Sequence, residues 1–297
     1  MRKINPYIRL LRPQHWVKNL FVFVSPFFSG KFFEPAVFKQ AIVAYTLFCL
    51  LASAVYIFND LCDAEADRQH LKKDRRPIAA REISIFAAVM TMIGLLVADA
   101  VIFIAGRANP LLLVVFAIYA GINILYSLGM KNISLIELFM VASGFVLRLI
   151  AGAVAVDASM TSWILICTGL VSLLLVVGKR RADIALANDP SLRRKVLKSY
   201  SVAFLDSLIV VIAASTLVTY FLFCTSTYGL TRFGLFVNLT GVFVALGIFR
   251  FMQIVMMEGG GDAPTMLVIK DKVMVATLLG WAAVFFGLLY GEALWRH

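Results

Sequence analysis

Apolar residues run along the chain in stretches separated by short polar clusters. The stretches lie near 16–33, 38–58, 84–105, 110–128, 134–156, 161–178, 201–223, 233–256 and 273–292. Most are about twenty residues, which at ~1.5 Å per residue is the length of a helix that crosses a bilayer. Pro26 interrupts the first, and polar residues break the C-terminal end of the eighth. The pattern predicts an all-α polytopic membrane protein of about nine transmembrane helices, with residues 1–297 forming a single membrane-embedded domain.

Composition supports this, since 61% of residues are hydrophobic where soluble domains run nearer half. Residues 1–18 are basic and lack the short apolar core and small-residue cleavage site of a signal peptide, so the first span is expected to remain. The four cysteines, Cys49, Cys62, Cys167 and Cys224, have no spacing that suggests a zinc site or a disulfide framework, and read as small buried hydrophobes.

A net charge of +11 could point to nucleic acid, but the positions of the charges argue otherwise. Loops 1–20, 59–83, 129–133, 179–200 and 250–272 hold 22 of the 28 Lys and Arg residues. Cytoplasmic loops attract such residues. The N-terminus is therefore expected in the cytoplasm and the C-terminus outside the inner (plasma) membrane, with no nucleic-acid partner. Gly259–Gly261 mark a flexible loop within 250–272.

The most informative segment, Asn59-Asp60-Leu61-Cys62-Asp63-Ala64-Glu65-Ala66-Asp67, follows directly on the second span. On a continuing helix Asn59, Asp63 and Asp67 share one face, with Asp60 beside them. Carboxylates packed this closely repel one another, and a hard cation relieves the repulsion. Magnesium prefers oxygen ligands and is usually shared with substrate phosphates. Asp60, Asp63 and Asp67 thus read as metal ligands and catalytic residues that hold a diphosphate through Mg2+. The plainer alternative is a solvated acidic face. Arg75 and Arg76 follow and suit bidentate clamping of phosphate, although topology alone would also place them there.

Arg148 is the one basic residue deep in a span, and Glu137 lies eleven residues before it, about three turns and nearly on the same face. Intramembrane charges usually face a cavity or a partner. Arg148 reads either as an inward charge at a cavity wall or as one half of a structural pair with an acid. His15 reads as an interfacial residue and His70 as a substrate contact.

Asn-Asp-x-x-Asp-x-x-x-Asp at the end of the second span, followed by Arg-Arg-Pro, resembles the first aspartate-rich motif of the UbiA superfamily. That resemblance implies nine helices around a central cavity open to the cytoplasmic side and a magnesium pyrophosphate held by the motif. A second Asp-x-x-x-Asp motif, expected after the sixth helix, is missing. The chain reads Gly178-Lys179-Arg180-Arg181-Ala182-Asp183 there, and the next acid is Asp189. A cation-rich loop suits a phosphate held directly, which makes Lys179 a catalytic candidate and Arg180 a substrate-binding one.

Three further segments look like the decaprenyl-phosphate phosphoribosyltransferase branch: Arg12-Pro13-Gln14-His15-Trp16-Val17-Lys18-Asn19, Tyr126-Ser127-Leu128-Gly129-Met130-Lys131, and Gly144-Phe145-Val146-Leu147-Arg148. Together the resemblance runs from Pro13 to about Asp183. Glu137 stands where relatives are expected to carry Asp. The resemblance implies a substrate-binding set of Lys18, Asn19, Asn59, Arg75, Arg76, Tyr126, Lys131, Glu137, Arg148 and Arg180. It implies transfer of 5-phosphoribose from phosphoribosyl pyrophosphate to a polyprenyl phosphate, with Mg2+ as cofactor and release of pyrophosphate. The alternative is a prenyl-diphosphate transferase acting on an aromatic or quinone precursor. A homo-oligomer is left open.

Overall fold

The computed structural model describes residues 5–69, 73–185, 195–258 and 270–295. Among them every regular element is helical, and eight α-helices are long and apolar enough to cross a membrane. The protein is a multi-pass membrane protein. Its chain falls into two compact units, Met1–Met140 with Gly144–Met160, and Val141–Ser143 with Thr161–His297.

The first unit opens with a short helix, α1 (Pro6–Leu11), then a 3-10 helix over Pro13–Phe23 that passes into α2 (Val24–Phe28). The long helices α3 (Pro35–Arg68), α4 (Ile85–Ala105), α5 (Leu111–Leu128) and α6 (Ile136–Ala155) follow. The expected first span, 16–33, is therefore not one α-helix. Its proline lies inside α2 and supplies no backbone N–H, and the segment before it winds more tightly. A 3-10 helix rises ~2.0 Å per residue, so these two pieces together still reach roughly 30 Å.

At 34 residues, α3 is roughly 50 Å long, well beyond the ~30 Å of a hydrocarbon core. Its apolar part ends at Phe58, and the excess length is the acidic segment. The helix runs unbroken to Arg68, as the four-residue spacing of Asn59, Asp63 and Asp67 requires.

Two clusters hold α3 in place. In the middle, Ala44, Leu47, Phe48, Leu51, Ala52 and Val55 pack with Val22, with Leu112, Val115, Phe116 and Tyr119 of α5, and with Leu147, Ala151 and Ala155 of α6. The 3-10 helix crosses α6 so closely that a Cβ on Gly152 would stand 1.9 Å from the Val22 carbonyl oxygen. Near the end of α3, Ile57 and Ala64 pack with Leu10, Ile78, Ile83 and Ala88. This second cluster fixes α1, the turns after α3 and the start of α4 around the acidic segment.

The second unit contains α7 (Ser162–Ala185), α8 (Val202–Thr225), α9 (Thr227–Phe233), α10 (Val237–Met256) and α11 (Lys272–Trp295). Helix α8 packs on α7 and α10, and α10 packs on α11. Buried polar groups are satisfied within it. The Tyr220 hydroxyl donates to Thr240 Oγ1 at 2.8 Å and accepts from Trp281 Nε1 at 2.8 Å. Gly259–Gly261, His70, Lys72 and Asp189 lie outside the described residues.

Candidate active site

The last turns of α3 carry the acids, and four cations from three separate stretches converge on them. Asp60 is 1% exposed. Arg12 Nη2 donates to both of its oxygens, at 2.5 and 2.6 Å, and Arg76 Nη1 donates to Oδ1 at 2.9 Å. The same Arg76 nitrogen reaches Asp67 Oδ2 at 2.5 Å, so one guanidinium bridges two acids seven residues apart. Lys73 Nζ lies 3.4 Å from Asp67 Oδ1. Half-buried Asp63 is paired with Lys131, and Asn59 Nδ2 donates to its other oxygen at 3.3 Å. Asn59 is itself oriented by Ser127 Oγ, which donates to Asn59 Oδ1 at 3.1 Å.

Local backbone explains how these side chains arrive. Arg12 sits in the left-handed region, φ +54°, between α1 and the 3-10 helix. Arg76 and Lys73 ride on the turns pinned by Ile78 and Ile83. Lys131 lies in a one-turn 3-10 helix after Gly129, whose φ of +150° favours glycine.

Three carboxylates thus face four cations. Such a cluster is stable as it stands and can exchange partners. A diphosphate with its counter-cations offers each guanidinium a phosphate oxygen and each carboxylate a cation, so both sets stay paired. Among the described residues no three Asp, Glu, His or Cys side chains form a metal cage. Magnesium needs no such cage, since it takes one or two carboxylates and completes its shell with waters and substrate phosphates. The all-oxygen donors Asn59, Asp60, Asp63 and Asp67 fit that ion.

Arg148 does not form the structural pair with an acid that one of its two readings expected. It is 4% exposed, and its partners are neutral. Nε donates to Asn19 Oδ1 at 2.6 Å, Nη1 to the Gly144 carbonyl at 2.6 Å and Nη2 to the Tyr119 hydroxyl at 3.1 Å. Its guanidinium lies 4.9 Å from the Phe48 ring centre and 5.1 Å from that of Tyr119. Eleven residues of helix separate it from Glu137 by roughly 16 Å, too far for an ion pair. Glu137 is fully buried in the first turn of α6. Lys18 stands within electrostatic reach of Arg148 and Arg12. These cations favour an anion nearby.

The first unit therefore brings together Asn59, Asp60, Asp63, Asp67, Arg76 and Lys131, and links Asn19 to Arg148. It does not bring in Arg75, which is exposed and whose backbone carbonyl accepts from Arg9, outside the cluster. Tyr126 is half-buried and bonds to none of these groups, whereas its neighbour Ser127 does. Arg12, Lys73 and Ser127 are the residues that sequence reasoning missed. Arg12 and Ser127 lie inside the quoted Arg-Pro and Tyr-Ser segments, and Lys73 is three residues before Arg76.

In the second unit, Arg180 is buried on α7 and donates to Asp183 at 3.1 Å, while Lys179 is exposed. Arg181 bonds Asp206 at 2.9 Å and the carbonyls of Val255 and Met256 at 2.7 and 3.1 Å, closing the C-terminal end of α10.

The sequence pattern of the UbiA prenyltransferase family matches residues 20–267. The chain belongs to that family. As a UbiA-family protein it is a membrane-embedded transferase. The decaprenyl-phosphate phosphoribosyltransferase of Corynebacterium glutamicum is 32% identical to it over 282 residues, covering 92% of this chain and 83% of the relative. The protein of the same name from Mycolicibacterium smegmatis is 32% identical over 300 residues, covering 97% and 93%. A UbiA homologue from Archaeoglobus fulgidus, solved bound to DMAPP and Mg2+, superposes with a TM-score of 0.72 over 96% of this chain and 99% of that one. At 17% identity that likeness shows the fold. Other structures of that homologue are bound to GPP and Mg2+ and to Cd2+.

Proposed function

We propose that this UbiA-family transferase moves 5-phosphoribose from phosphoribosyl pyrophosphate to a polyprenyl phosphate and releases pyrophosphate. The observation that carries the reading is the end-to-end similarity to two relatives named for decaprenyl-phosphate phosphoribosyl transfer. The end of α3 supplies chemistry that fits it.

In this reading the bond from sugar C1 to the pyrophosphate oxygen breaks and the electron pair leaves with pyrophosphate. An oxygen of the lipid phosphate, already ionised, forms the new bond to C1, so no general base is needed. Asp60, Asp63 and Asp67 would hold Mg2+, which when bound would supply positive charge to offset the pyrophosphate leaving group. Arg12, Arg76, Lys73 and Lys131, freed from the acids, take phosphate oxygens and stabilise the charge that develops on the leaving group. Asn59 keeps Asp63 oriented. Lys18 and Arg148 draw in a phosphate, with Asn19 and Tyr119 fixing the Arg148 plane. Tyr126 and Glu137 complete the substrate-binding set. Lys179 and Arg180, where the second aspartate motif is missing, take a phosphate directly. The site faces the cytoplasm at the inner membrane, with the N-terminus inside and the C-terminus outside.

Membranes containing the protein should pass label from phosphoribosyl pyrophosphate to added polyprenyl phosphate. Transfer from a labelled prenyl diphosphate to an aromatic acceptor, with none from phosphoribosyl pyrophosphate, would overturn the proposal.

A further inference from the structure

A second basic site lies beside the acidic cluster but makes no bond with it. Arg68 follows Asp67, and one residue turns ~100° around a helix, so the two present different faces of α3. There the turns after α3 meet the start of α4 around a cavity of about 270 Å³ lined by Arg68, Ile78, Arg81, Ile83, Ser84 and Ile85. Two arginines line it. Arg68 Nη1 is paired with exposed Glu65 at 2.5 Å, and its buried Nε has no hydrogen-bond partner among the described residues. Arg81 is exposed in the left-handed region, φ +58°.

The backbone adds to this positive field. Ser84 caps α4, accepting from Ala87 N at 3.1 Å, and its carbonyl takes Ala88 N. The first amides of this 21-residue helix, those of Ile85 and Phe86, have no acceptor within it. A helix start of this kind favours an anion.

Further along α4, Phe86, Met90, Ile93 and Val97 form an exposed apolar row at 76%, 50%, 44% and 57% exposure. Their spacing of four, three and four places them on one stripe. The cavity is smaller than the ~300–1,000 Å³ of a drug-sized pocket. It has room for one phosphate group, and the apolar row begins at the residue after Ile85 of its lining.

We propose that this cavity binds the phosphate headgroup of an anionic membrane phospholipid, with its acyl chains lying along the α4 row. Ile78, Arg81 and Ile83 of the cavity wall belong to the same turns that carry Arg76 and Lys73. A bound headgroup would therefore steady the segment that supplies cations to the acidic cluster.

The test is native mass spectrometry of the full-length protein in a neutral detergent, titrated with phosphatidylglycerol or phosphatidylcholine. The wild type should retain one phosphatidylglycerol in preference to phosphatidylcholine. Arg81→Gln, on an exposed turn, and Arg68→Gln should each weaken phosphatidylglycerol retention about tenfold or more, the value of one charge-assisted contact. Lys31→Gln, which removes one charge elsewhere, should leave it unchanged. Lipid retained in millimolar inorganic phosphate supports a site that reads headgroup and chain together. Displacement by inorganic phosphate would assign the cavity to a soluble anion and overturn the lipid reading. Equal retention of both lipids by the wild type, unchanged retention in both arginine variants, or an equal fall in Lys31→Gln would overturn it as well.

Discussion

Replacing Asp63 by asparagine removes one charge at nearly constant shape, and the structure sets its two consequences apart. Asp63 and Lys131 are 18% and 20% exposed. A charge-assisted hydrogen bond is worth roughly 1.5–3 kcal/mol when shielded and less when water screens it, so the stability cost is about 1 kcal/mol. The effect on transfer should be far larger. Losing one preorganised group that stabilises departing charge costs about 10²–10³ in rate. Asp60→Asn should lose activity in the same way but also destabilise the protein. Asp60 is 1% exposed and faces both Arg12 and Arg76, and breaking a buried ion pair costs roughly 3–5 kcal/mol. The assays are thermal unfolding of each purified variant and transfer from labelled phosphoribosyl pyrophosphate across a magnesium titration. Wild-type turnover in Asp63→Asn, or full activity of the native protein in excess chelator, would refute the assignment. Equal melting of the two variants would refute the structural contrast.

Arg148→Lys keeps the charge but cannot make three bonds from one plane, so unfolding should show a loss of about 2–4 kcal/mol, with Asn19 left partly unpaired. Gly152→Ala forces the 3-10 helix away from α6 and should cost about 1–3 kcal/mol in the same measurement. Arg250 holds Asp271 well below the usual carboxylate range, at about 2, through a hydrogen bond of 2.8 Å. A depressed carboxylate stabilises above its unfolded value of about 3.9. The melting difference between the wild type and Asp271→Asn should therefore persist above pH ~4 and vanish as pH falls through about 2.

Length and spacing made much of this molecule legible. The apolar stretches near 38–58, 84–105 and 201–223 appear as α3, α4 and α8 because a continuous apolar stretch of about twenty residues satisfies its backbone in lipid by closing its hydrogen bonds within one helix. Asn59, Asp63 and Asp67 could be placed on one face because their spacing is that of a helix and α3 runs through them. The first stretch misled because hydropathy reports length and apolarity, not winding, and a 3-10 helix has the same composition as an α-helix. Arg75 and Arg76 are equivalent in sequence. Only the turn pinned by Ile78 and Ile83 decides that Arg76 reaches the acids. Arg12 could not be singled out among the basic residues of the N-terminal segment, since its reach depends on a left-handed backbone that no neighbouring glycine announced.

The pairing of Arg148 shows where a sequence rule stops. A buried cation needs its donors satisfied, and an acid on the same face was the partner the sequence offered. The structure satisfies it with an amide, a carbonyl, a phenol and two aromatic faces instead. An acid would have cancelled the charge, whereas neutral acceptors satisfy the hydrogen bonds and leave it in place. With Lys18 within electrostatic reach, that uncancelled charge is a standing attraction for an anion. The three carboxylates at the end of α3 are compensated by their own cations. One place can exchange partners and the other attracts an anion, an arrangement that fits the proposed reaction between two phosphate-bearing substrates.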